Sequence, residues 1–328
     1  MIGAGVMGGH HARKVRDRAQ REGDVVLAGI CDADADRALA VGRELGVPAV
    51  AQPADLFASA DAAIIAVSAV AHYEVARRAV EAGLDVLVEK PIAATLEEAD
   101  ALVALARSRA RVLQVGHQEW FNAAMRVVRE QIDRPRFAEI HRLGPFPERG
   151  TDVDVVRDLM IHDIEILQQL LGAEPERVDA VGVEVLTDHV DIANARLAFP
   201  GACVANLTAS RVSASPMRKF RLFQRDAYFS IDFLAQKAML FRRVPASFAQ
   251  RAEGERSPSG PDGGKKIEMQ SLETDPEDAL AAQLDVFVSA VRKRSGEGLA
   301  GVTGAQAAAA LRTALRVIDA MPEIDHLA

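Results

Sequence analysis

Three glycines near the start of the chain have the spacing of a nucleotide-phosphate turn. Gly3, Gly5 and Gly8 form the pattern GxGxxG, and Asp32 follows Gly8 by 24 residues, directly after an apolar run. Such glycines allow a tight turn, the close approach of a pyrophosphate, and close packing of a helix on a strand. The following helix would present free N–H groups to the pyrophosphate, and Asp32 would accept hydrogen bonds from a ribose diol. Because the Asp32 charge repels a 2′-phosphate and Ala33 offers no cation, the pattern predicts NAD rather than NADP.

The strand expected before this turn is nearly missing. Only Met1 and Ile2 come before Gly3, so we expect a very short first strand, from either a misassigned start or a shortened chain. The alternative interpretation of the glycines is a strand–turn–helix that binds no nucleotide. The position of Asp32 favours the nucleotide site.

A lysine follows a later apolar run. Glu89, Lys90 and Pro91 come directly after Asp85–Val88. In an open parallel sheet, the carboxyl ends of the strands line the ligand crevice. Partial desolvation and a nearby cationic nicotinamide would both favour the neutral form of Lys90, which is a proton acceptor. The alternative is a solvated lysine at a strand end.

A carboxylate and an imidazole are spaced four residues apart in the second half of the chain. Asp158 and His162 lie in a helical pattern, so they share a face, and Glu165 and Gln169 continue it. A carboxylate beside an imidazole orients the ring and stabilises its protonated form. Spacing alone favours the alternative, which is the polar face of an amphipathic helix.

The hydrophobic pattern of the first 118 residues predicts the elements that hold the first two sites. Short apolar runs alternate with helical stretches, which is typical of a parallel sheet covered on both faces. Gly46 and Gly83 are expected to end helices, and Thr95 with Glu98 forms a capping box. The predicted strands are Val25–Cys31, Ala62–Val67, Asp85–Val88 and Arg111–Val115, and the predicted helices are Asp34–Leu45, Ala71–Ala82 and Leu96–Ser108.

The pattern changes at about residue 136. A helix over Asp154–Leu171 is followed by strand-like runs with no helices between them, which predicts an α+β region with an open, largely antiparallel sheet. The predicted strands are Phe137–Leu143, Arg177–Leu186, Ile192–Phe199, Cys203–Ser210, Arg218–Gln224 and Ala227–Phe233. Residues 246–264 are predicted as a loop or hairpin tip. Asp275 and Pro276 are predicted to begin a helix to about residue 294, and Thr303 with Gln306 to open the last one.

We therefore expect two domains. Residues 1–118 form a doubly wound Rossmann domain, and residues 119–328 form an α+β domain for substrate binding and oligomerisation. One option is that the C-terminal helices pack back on the first domain.

Composition restricts the classes of function. A net charge of −8 disfavours nucleic-acid binding, because such a chain repels phosphate backbones. No apolar run approaches the roughly 20 residues of a membrane span. Cys31 and Cys203 lie in apolar runs outside any Cys/His cluster. This pattern predicts no metal site and two reduced thiols in a cytoplasmic protein.

Taken in order, the segments GAGVMG, CD, EKP and DLMIHDIEIL resemble the glucose–fructose oxidoreductase/inositol dehydrogenase/MocA (Gfo/Idh/MocA) family over nearly the whole chain. The resemblance implies that Lys90 reaches the nicotinamide, often through a cis Lys–Pro bond, and that Asp158 and His162 complete a proton relay. A ring hydroxyl would lose its proton to the Lys90/His162 pair while its carbon gives a hydride to NAD. His72 matches the family's position after the fourth strand, although Ser68-Ala69 replaces the usual threonine–proline. The implied cofactor-binding residues are Gly3, Gly5, Val6, Met7, Gly8, Asp32, Ser68, His72, Glu89 and Lys90.

Within this family, residues 115–124, 141–167 and 208–233 are similar to UDP-N-acetylglucosamine 3-dehydrogenases. The first of these segments usually reads E-R-F-N-P, and here it is Glu119-Trp120-Phe121-Asn122-Ala123. The implied reaction is oxidation at C3 to a 3-keto sugar nucleotide, for later amination toward lipid A or a surface polysaccharide. The implied substrate-binding residues are Glu119, Asn122, Arg142, Arg149, Asp163 and Arg211.

The residue types leave alternatives open at these positions. Arginines are suitable partners for a diphosphate, although ordinary surface arginine is the expectation for at least half of the candidates. Glu119 and Asn122 would bind sugar hydroxyls or the acetamido group, or else would cap the helix near Phe121. The arginines considered are Arg142, Arg149, Arg211 and Arg218.

Two other functions remain as alternatives. One is a dehydrogenase of free sugars or inositols with the same relay, and the other is a non-catalytic NAD-binding regulator. The open sheet would leave a large exposed patch on a monomer, so we expect a homodimer or a dimer of dimers.

Overall fold

The computed structural model describes residues 1–146, 153–245, 265–293 and 300–322. The chain divides into two compact units, of which unit 1 comprises Met1–Phe121 and Asp278–Arg312, and unit 2 comprises Asn122–Glu277 and Thr313–Ala328. Residues 278–312 thus group with the N-terminal part of the chain. The boundary after residue 118 stays a prediction.

Unit 1 begins with alternating helices and strands. Its strands are β1 (Ile30–Cys31), β2 (Ala49–Val50), β3 (Ala62–Ile65), β4 (Asp85–Val88) and β5 (Leu113–Val115). Its helices up to residue 121 are α1 (Val6–Glu22), α2 (Ala35–Leu45), α3 (Ala54–Phe57), α4 (Ala69–Glu81), α5 (Leu96–Ser108) and the 3₁₀ turn Gln118–Phe121. All strand pairs are parallel, which confirms the predicted Rossmann-type alternation.

These strands form two small sheets, with the orders β1–β2 and β3–β4–β5. Ile2 joins the two by single parallel bridges to Cys31 and Ile65. The predicted strand Val25–Cys31 is correspondingly reduced to Ile30–Cys31. Residues 25–29 instead line a cavity of about 770 Å³ together with residues 60–64 and the side chains of Leu284 and Phe287.

Local signals in the sequence set the ends of several helices. Gly46 ends α2 in the left-handed conformation, with φ of 70°. Gly83 follows α4 with φ of 88°. Thr95 and Glu98 form the predicted capping box at the start of α5. The sequence therefore identified these helix ends correctly.

Unit 2 contains a mixed eight-stranded sheet with helices. Its helices are α6 (Ala123–Arg129), a π-helical turn (Val156–Met160) and α7 (Ile161–Leu171). Its strands are β6 (Phe137–Leu143), β7 (Arg177–Val183), β8 (Ile192–Phe199), β9 (Cys203–Ser210), β10 (Met217–Phe223), β11 (Ala227–Asp232), β12 (Lys237–Pro245) and β13 (Lys265–Leu272). A 3₁₀ turn, Pro200–Ala202, links β8 and β9.

The sheet has the order β13-β12-β11-β10-β6-β9-β8-β7. All neighbouring strands are antiparallel except β6 and β9, which are parallel. The prediction of a largely antiparallel sheet is confirmed, and β12 and β13 extend it beyond the predicted strands. The loop predicted for residues 246–264 lies outside the described residues.

Two further helices follow the sheet, α8 (Ala279–Lys293) and α9 (Gly304–Asp319). The predicted start of α8 at Asp275 and Pro276 is wrong. The side chain of Asp278 instead accepts the N–H groups of Leu280 and Ala281, at 3.0 and 3.1 Å, and so caps the helix. Thr303 and Gln306 bond reciprocally at the start of α9, as predicted.

Among the described residues, no helix combines the length and the apolar character needed to span a membrane.

Candidate active site

The glycine turn of unit 1 has the tight geometry that its sequence predicts. Gly3 has φ of 91°, and a Cβ placed there would lie 2.3 Å from the carbonyl oxygen of Ala66. A Cβ on Gly8 would lie 2.0 Å from the Gly3 carbonyl oxygen. Both positions therefore exclude a side chain. Gly5 differs, because its Cβ position meets only an Arg37 guanidinium nitrogen at 3.7 Å, which leaves room for a ligand phosphate.

The helix after this turn presents free backbone donors. Val6 and Met7 begin α1, and Gly5 precedes them without a side-chain cap. The first N–H groups of a helix have no acceptor within it, and the helix dipole adds positive potential there. The turn thus fits the pyrophosphate of a dinucleotide.

Asp32 lies beside the glycine turn with a fixed orientation. Its Oδ2 accepts the N–H of Ala4 at 2.5 Å, and its Oδ1 accepts the N–H of Asp34 at 2.8 Å. Arg37 Nε lies 3.7 Å from the same Oδ1, and its Nη2 bonds Asp34 at 3.1 Å. Ala33 was expected to leave Asp32 without a nearby cation, but Arg37 supplies one. The sequence feature that indicates this position is Asp34, the N-cap residue of α2, because the third residue of the helix, Arg37, then lies beside the cap.

Glu89, Lys90 and Pro91 form a turn after β4, which we call the Lys90 turn. The Lys90–Pro91 peptide bond is cis, as the resemblance implied. The ring of His72 donates from Nδ1 to the Pro91 carbonyl at 2.6 Å, and burial lowers the pKa of His72. Ser68 precedes α4 as its N-cap residue, without a side-chain cap bond. His72 therefore contacts the backbone of the turn, while its contact with the cofactor stays a prediction.

Two further histidines of unit 1 lie near the Lys90 turn, and the sequence analysis gave neither a role in the site. His11 on α1 contacts a Glu89 carboxylate oxygen at 2.7 Å through its Nε2. His117 is buried, and burial together with the positive charge of Lys90 lowers the pKa of its imidazole to about 3. His117 is therefore neutral at physiological pH. His11 was detectable only as a polar residue on the buried side of α1.

Asp158 and His162 lie on consecutive helical segments of unit 2, which we call the relay helix (the π-helical turn and α7). Asp158 is half-buried in the π-helical turn, and His162 is the second residue of α7. The predicted uninterrupted α-helix over Asp154–Leu171 is thus wrong at residues 156–160. A π-helical turn contains more residues than an α-helical turn. The four-residue spacing that would place Asp158 and His162 on one face of an α-helix therefore does not apply.

The relay helix is buried over all its sides from Ile161 to Gln168. At His162 and Glu165 the alternative of an exposed polar helix face is therefore wrong, whereas Asp158 and Gln169 are half-buried. Glu165 is 1% exposed, and its carboxylate bonds the Gln169 amide. Burial raises the pKa of Glu165 to about 8, so this carboxyl holds a proton at neutral pH.

Arg142, predicted to bind substrate, lies in a buried ion pair with Asp163. Arg142 Nη2 and Nε donate to the two carboxylate oxygens at 2.7 and 2.9 Å, and each side chain is 3% exposed. The guanidinium also lies 5.8 Å from the centre of the Phe233 ring. Arg142 on β6 therefore anchors α7 through the residue that follows His162.

Arg211 lies in a second buried pair. Its Nε donates to Asp191 at 2.7 Å, and its Nη1 donates to the Val153 carbonyl at 2.6 Å, just before the relay helix. Burial would raise the pKa of Asp191. Hydrogen bonds from the Leu186 N–H and from Arg211 instead bring it well below its usual range. Arg149 lies outside the described residues, and Arg218 is exposed on β10.

Asn122 caps α6, which is the second of the two roles considered for it. Its Oδ1 accepts the Ala124 N–H at 3.1 Å, and its amide donates to the Phe233 carbonyl at 3.0 Å. Glu119 is buried in the 3₁₀ turn Gln118–Phe121. The adjacent Trp120 indole donates to the Ala300 carbonyl at 3.2 Å.

The two halves of the chain match two domain models of one family. The model described as "Oxidoreductase family, NAD-binding Rossmann fold" matches residues 1–117, and "GFO/IDH/MocA C-terminal domain" matches residues 122–229. The chain belongs to the Gfo/Idh/MocA oxidoreductase family. The predictions of an NAD-binding Rossmann fold and of an oxidoreductase acting on CH–OH groups are thereby confirmed.

Similar proteins include characterised dehydrogenases. The chain is 37% identical over 311 residues to a UDP-N-acetylglucosamine 3-dehydrogenase from Acidithiobacillus ferrooxidans, covering 94% of this chain and 93% of that one. A solved structure of that enzyme superposes with a TM-score of 0.87 at 36% identity, covering 98% and 96% of the two chains. An inositol 2-dehydrogenase from Saccharopolyspora erythraea is 31% identical over 183 residues, 53% of each chain. A levoglucosan dehydrogenase in complex with NADH, at 16% identity and a TM-score of 0.81, shares the fold.

Proposed function

We propose that this enzyme oxidises the C3 hydroxyl of UDP-N-acetylglucosamine to the 3-keto sugar nucleotide, in a cytoplasmic route to amino sugars. The observation that carries the proposal is 37% identity over 94% of the chain to an enzyme of that name. The free, buried thiols of Cys31 and Cys203 support the location, because reducing conditions preserve them.

In this proposal, Lys90 accepts the proton of the sugar hydroxyl at its Nζ, and Asp158 and His162 complete the relay. NAD, when bound, would accept the hydride from the C3 carbon of the sugar. The turn that contains Lys90 is fixed by contacts within unit 1, and the backbone around His162 is fixed by buried ion pairs within unit 2. Fixed geometry of this kind is what general base catalysis requires.

We further propose that Arg142 and Arg211 do not bind the diphosphate; Arg149 and Arg218 remain candidates for it only through their residue type. The contacts of Arg142 and Arg211 support a different role for these two residues, because both already bind carboxylates in buried surroundings. A diphosphate would compete for guanidinium groups that hold the relay helix. Glu119 and Asp163 remain proposed substrate residues only through the resemblance.

A dehydrogenase of free sugars or inositols is the second candidate. The inositol 2-dehydrogenases among the similar proteins favour it, although the match covers 53% of the chain. The non-catalytic regulator is not supported, because Lys90, Asp158 and His162 are all present.

We propose that the open face of the unit 2 sheet joins two copies of this chain. Burial alternates along its strands, so that one face is buried and the other carries half-buried or exposed side chains. A continuous aromatic row crosses the open face over four strands, with ring centroids 5.6, 5.0 and 4.1 Å apart. Its members are Phe137, Phe223, Tyr228 and Phe241. A second copy would cover this row by the same surface, as two-fold symmetry allows.

Light scattering tests the dimer. We expect a mass of about twice or four times 35.2 kDa. Tyr228→Glu should yield a monomer, whereas Leu39→Glu, at an exposed apolar residue of unit 1, should not. A wild-type mass of one chain would refute the dimer.

The substrate is tested by mixing the protein with NAD, UDP-N-acetylglucosamine and a carbonyl trap, and by following NADH absorbance. The trap is required because oxidation of alcohols by NAD is unfavourable near neutral pH. NADH formed with this substrate, but not with N-acetylglucosamine or inositol, is the expected result. Formation with inositol alone would support the second candidate.

A further inference from the structure

A buried histidine connects the nucleotide-binding helix to the Lys90 turn. His11 lies in α1, six residues after the Gly5 cap, and its Nε2 is 2.7 Å from Glu89 Oε1. His11 is 1% exposed and Glu89 is 8% exposed. The contact joins the element that faces the pyrophosphate to the residue next to Lys90. It is shielded from water, so its geometry is well defined.

Two other features of unit 1 define the position of Glu89, one through its backbone and one through the space for its carboxylate. The Glu89 N–H donates to the Ile65 carbonyl of β3 at 2.9 Å. A Cβ on Gly116 would lie 2.7 to 2.8 Å from the carboxylate atoms of Glu89, so a larger residue there would displace this carboxylate from its position. The carboxylate therefore fills a space that the chain keeps open at the end of β5.

The other side of Lys90 is also anchored. The Pro91 carbonyl accepts the His72 Nδ1–H at 2.6 Å, from α4. Lys90 thus lies between two residues that buried histidines of different helices hold, Glu89 through its carboxylate and Pro91 through its carbonyl. A displacement at either anchor would move the Lys90 backbone.

We propose that His11 is a positioning residue for Lys90, acting through the Glu89 carboxylate. The His11–Glu89 contact fixes the position of the Lys90 amine relative to a dinucleotide bound at the N-terminus of α1. The inference rests on the proposed role of Lys90 and adds a residue to it. His11 itself is too deeply buried to touch the substrate, so it acts only through Glu89.

The variants follow from the geometry. His11→Leu removes the donor at similar volume, and His11→Gln places an amide N–H close to the position of Nε2. His11→Asn is shorter and withdraws the donor while keeping a polar group. His10→Leu is the matched control, because His10 is the adjacent residue of the same helix and is exposed.

A readout that needs no sugar substrate is acylation of Lys90 by a water-soluble succinimidyl ester, quantified by peptide mass spectrometry with and without NADH. We expect NADH to protect Lys90 in the wild type, His10→Leu and His11→Gln. In His11→Leu and His11→Asn, saturating NADH should no longer protect most of the Lys90 from acylation. The NADH dissociation constant, measured by fluorescence titration, should nevertheless change less than about threefold. With an active substrate, kcat should fall about 10- to 100-fold in the same two variants.

The two ways of failing are distinguishable. If NADH does not protect Lys90 in the wild type, the proposed role of Lys90 is wrong and His11 positions nothing. If NADH protects Lys90 equally in wild type, His11→Leu and His11→Asn, the role of Lys90 stands and the positioning role of His11 is overturned. If His11→Leu does not fold, the comparison of His11→Asn with His11→Gln decides the same question.

Discussion

The Lys90 turn of unit 1 and the relay helix of unit 2 are held in place by different interactions. The turn is anchored by imidazoles, with one bond to a carbonyl and one to a carboxylate. The relay helix is anchored by buried arginine–carboxylate pairs, Arg142–Asp163 beside His162 and Arg211–Asp191 at the helix entry. Removing one partner of a buried ion pair leaves the other charge buried without compensation, which lowers stability. Replacing a polar side chain that reaches solvent changes stability little.

The contrast predicts where substitutions act. In unit 1, changes at the residues that reach solvent, Lys90 and Arg37, should alter chemistry or cofactor choice with little loss of stability. In unit 2, changes at the anchors should lower the stability of the fold before they affect catalysis. The following predictions test this contrast, beginning with the largest expected effect.

Lys90→Met should lower kcat by about 10²- to 10⁴-fold, because a general base of this kind contributes that factor. Lys90 is half-buried, so the melting temperature should stay close to that of the wild type. NADH affinity, measured by fluorescence titration, should be largely retained. Turnover at the native rate would show that Lys90 is not the base.

Arg142→Met should lower the free energy of unfolding by about 3 to 5 kcal/mol, because it leaves the Asp163 carboxylate buried without its partner. Chemical denaturation measures this. Arg134→Met is the control, since the Arg134–Asp133 pair is exposed and its loss should leave the free energy of unfolding nearly unchanged. The double variant Arg142→Met/Asp163→Leu should recover much of the loss. If Arg142 instead binds the diphosphate, KM will rise and stability will not change.

The Lys90 turn was predictable because its determinants are adjacent in sequence. A short apolar run followed by Glu89, Lys90 and Pro91 specifies a strand end and the residues that line it. Gly3, Gly8 and the Thr95 capping box were readable for the same reason, since each acts on its own backbone.

The anchors of the relay helix were not predictable in this way. Arg142 meets Asp163 only through the packing of α7 on β6, and Arg211 reaches Val153 across 58 residues. A positive charge in the sequence does not indicate whether its partner is a ligand or a buried carboxylate. The π-helical turn at Val156–Met160 likewise has no local signal, and Asn122 fitted capping and substrate binding equally well.

Glu165→Gln should change how stability depends on pH. The folded pKa of about 8 lies above the usual 4.5, so the folded state binds the extra proton and loses this stabilisation as pH rises toward 8. Between pH 6.5 and 8 the buried N-terminal ammonium of Met1 also contributes to the pH dependence, because burial lowers its pKa to about 6. The difference in slope between the wild type and Glu165→Gln therefore isolates Glu165. The wild type should lose about 1 kcal/mol more per pH unit in this range than the variant does. Equal slopes in denaturation series at these pH values would contradict a buried, protonated Glu165.

The smallest expected effect concerns cofactor choice in unit 1, where Arg37 lies beside Asp32 and Asp34. Asp32→Ala should weaken NAD binding and relax the discrimination against NADP, because it removes both the ribose acceptor and the charge that repels a 2′-phosphate.

Arg37→Gln should act in the opposite direction, since it removes the cation that offsets this repulsion. We expect the ratio of NADP to NAD dissociation constants to rise by about 2- to 5-fold in Arg37→Gln, which matches the energy of an exposed charge pair. Arg37→Gln should not lower the melting temperature appreciably, because Arg37 is exposed. Titration of both cofactors with both variants measures these ratios. A large loss of stability in Arg37→Gln would place it with the buried anchors of unit 2, and the contrast between the two regions would then fail.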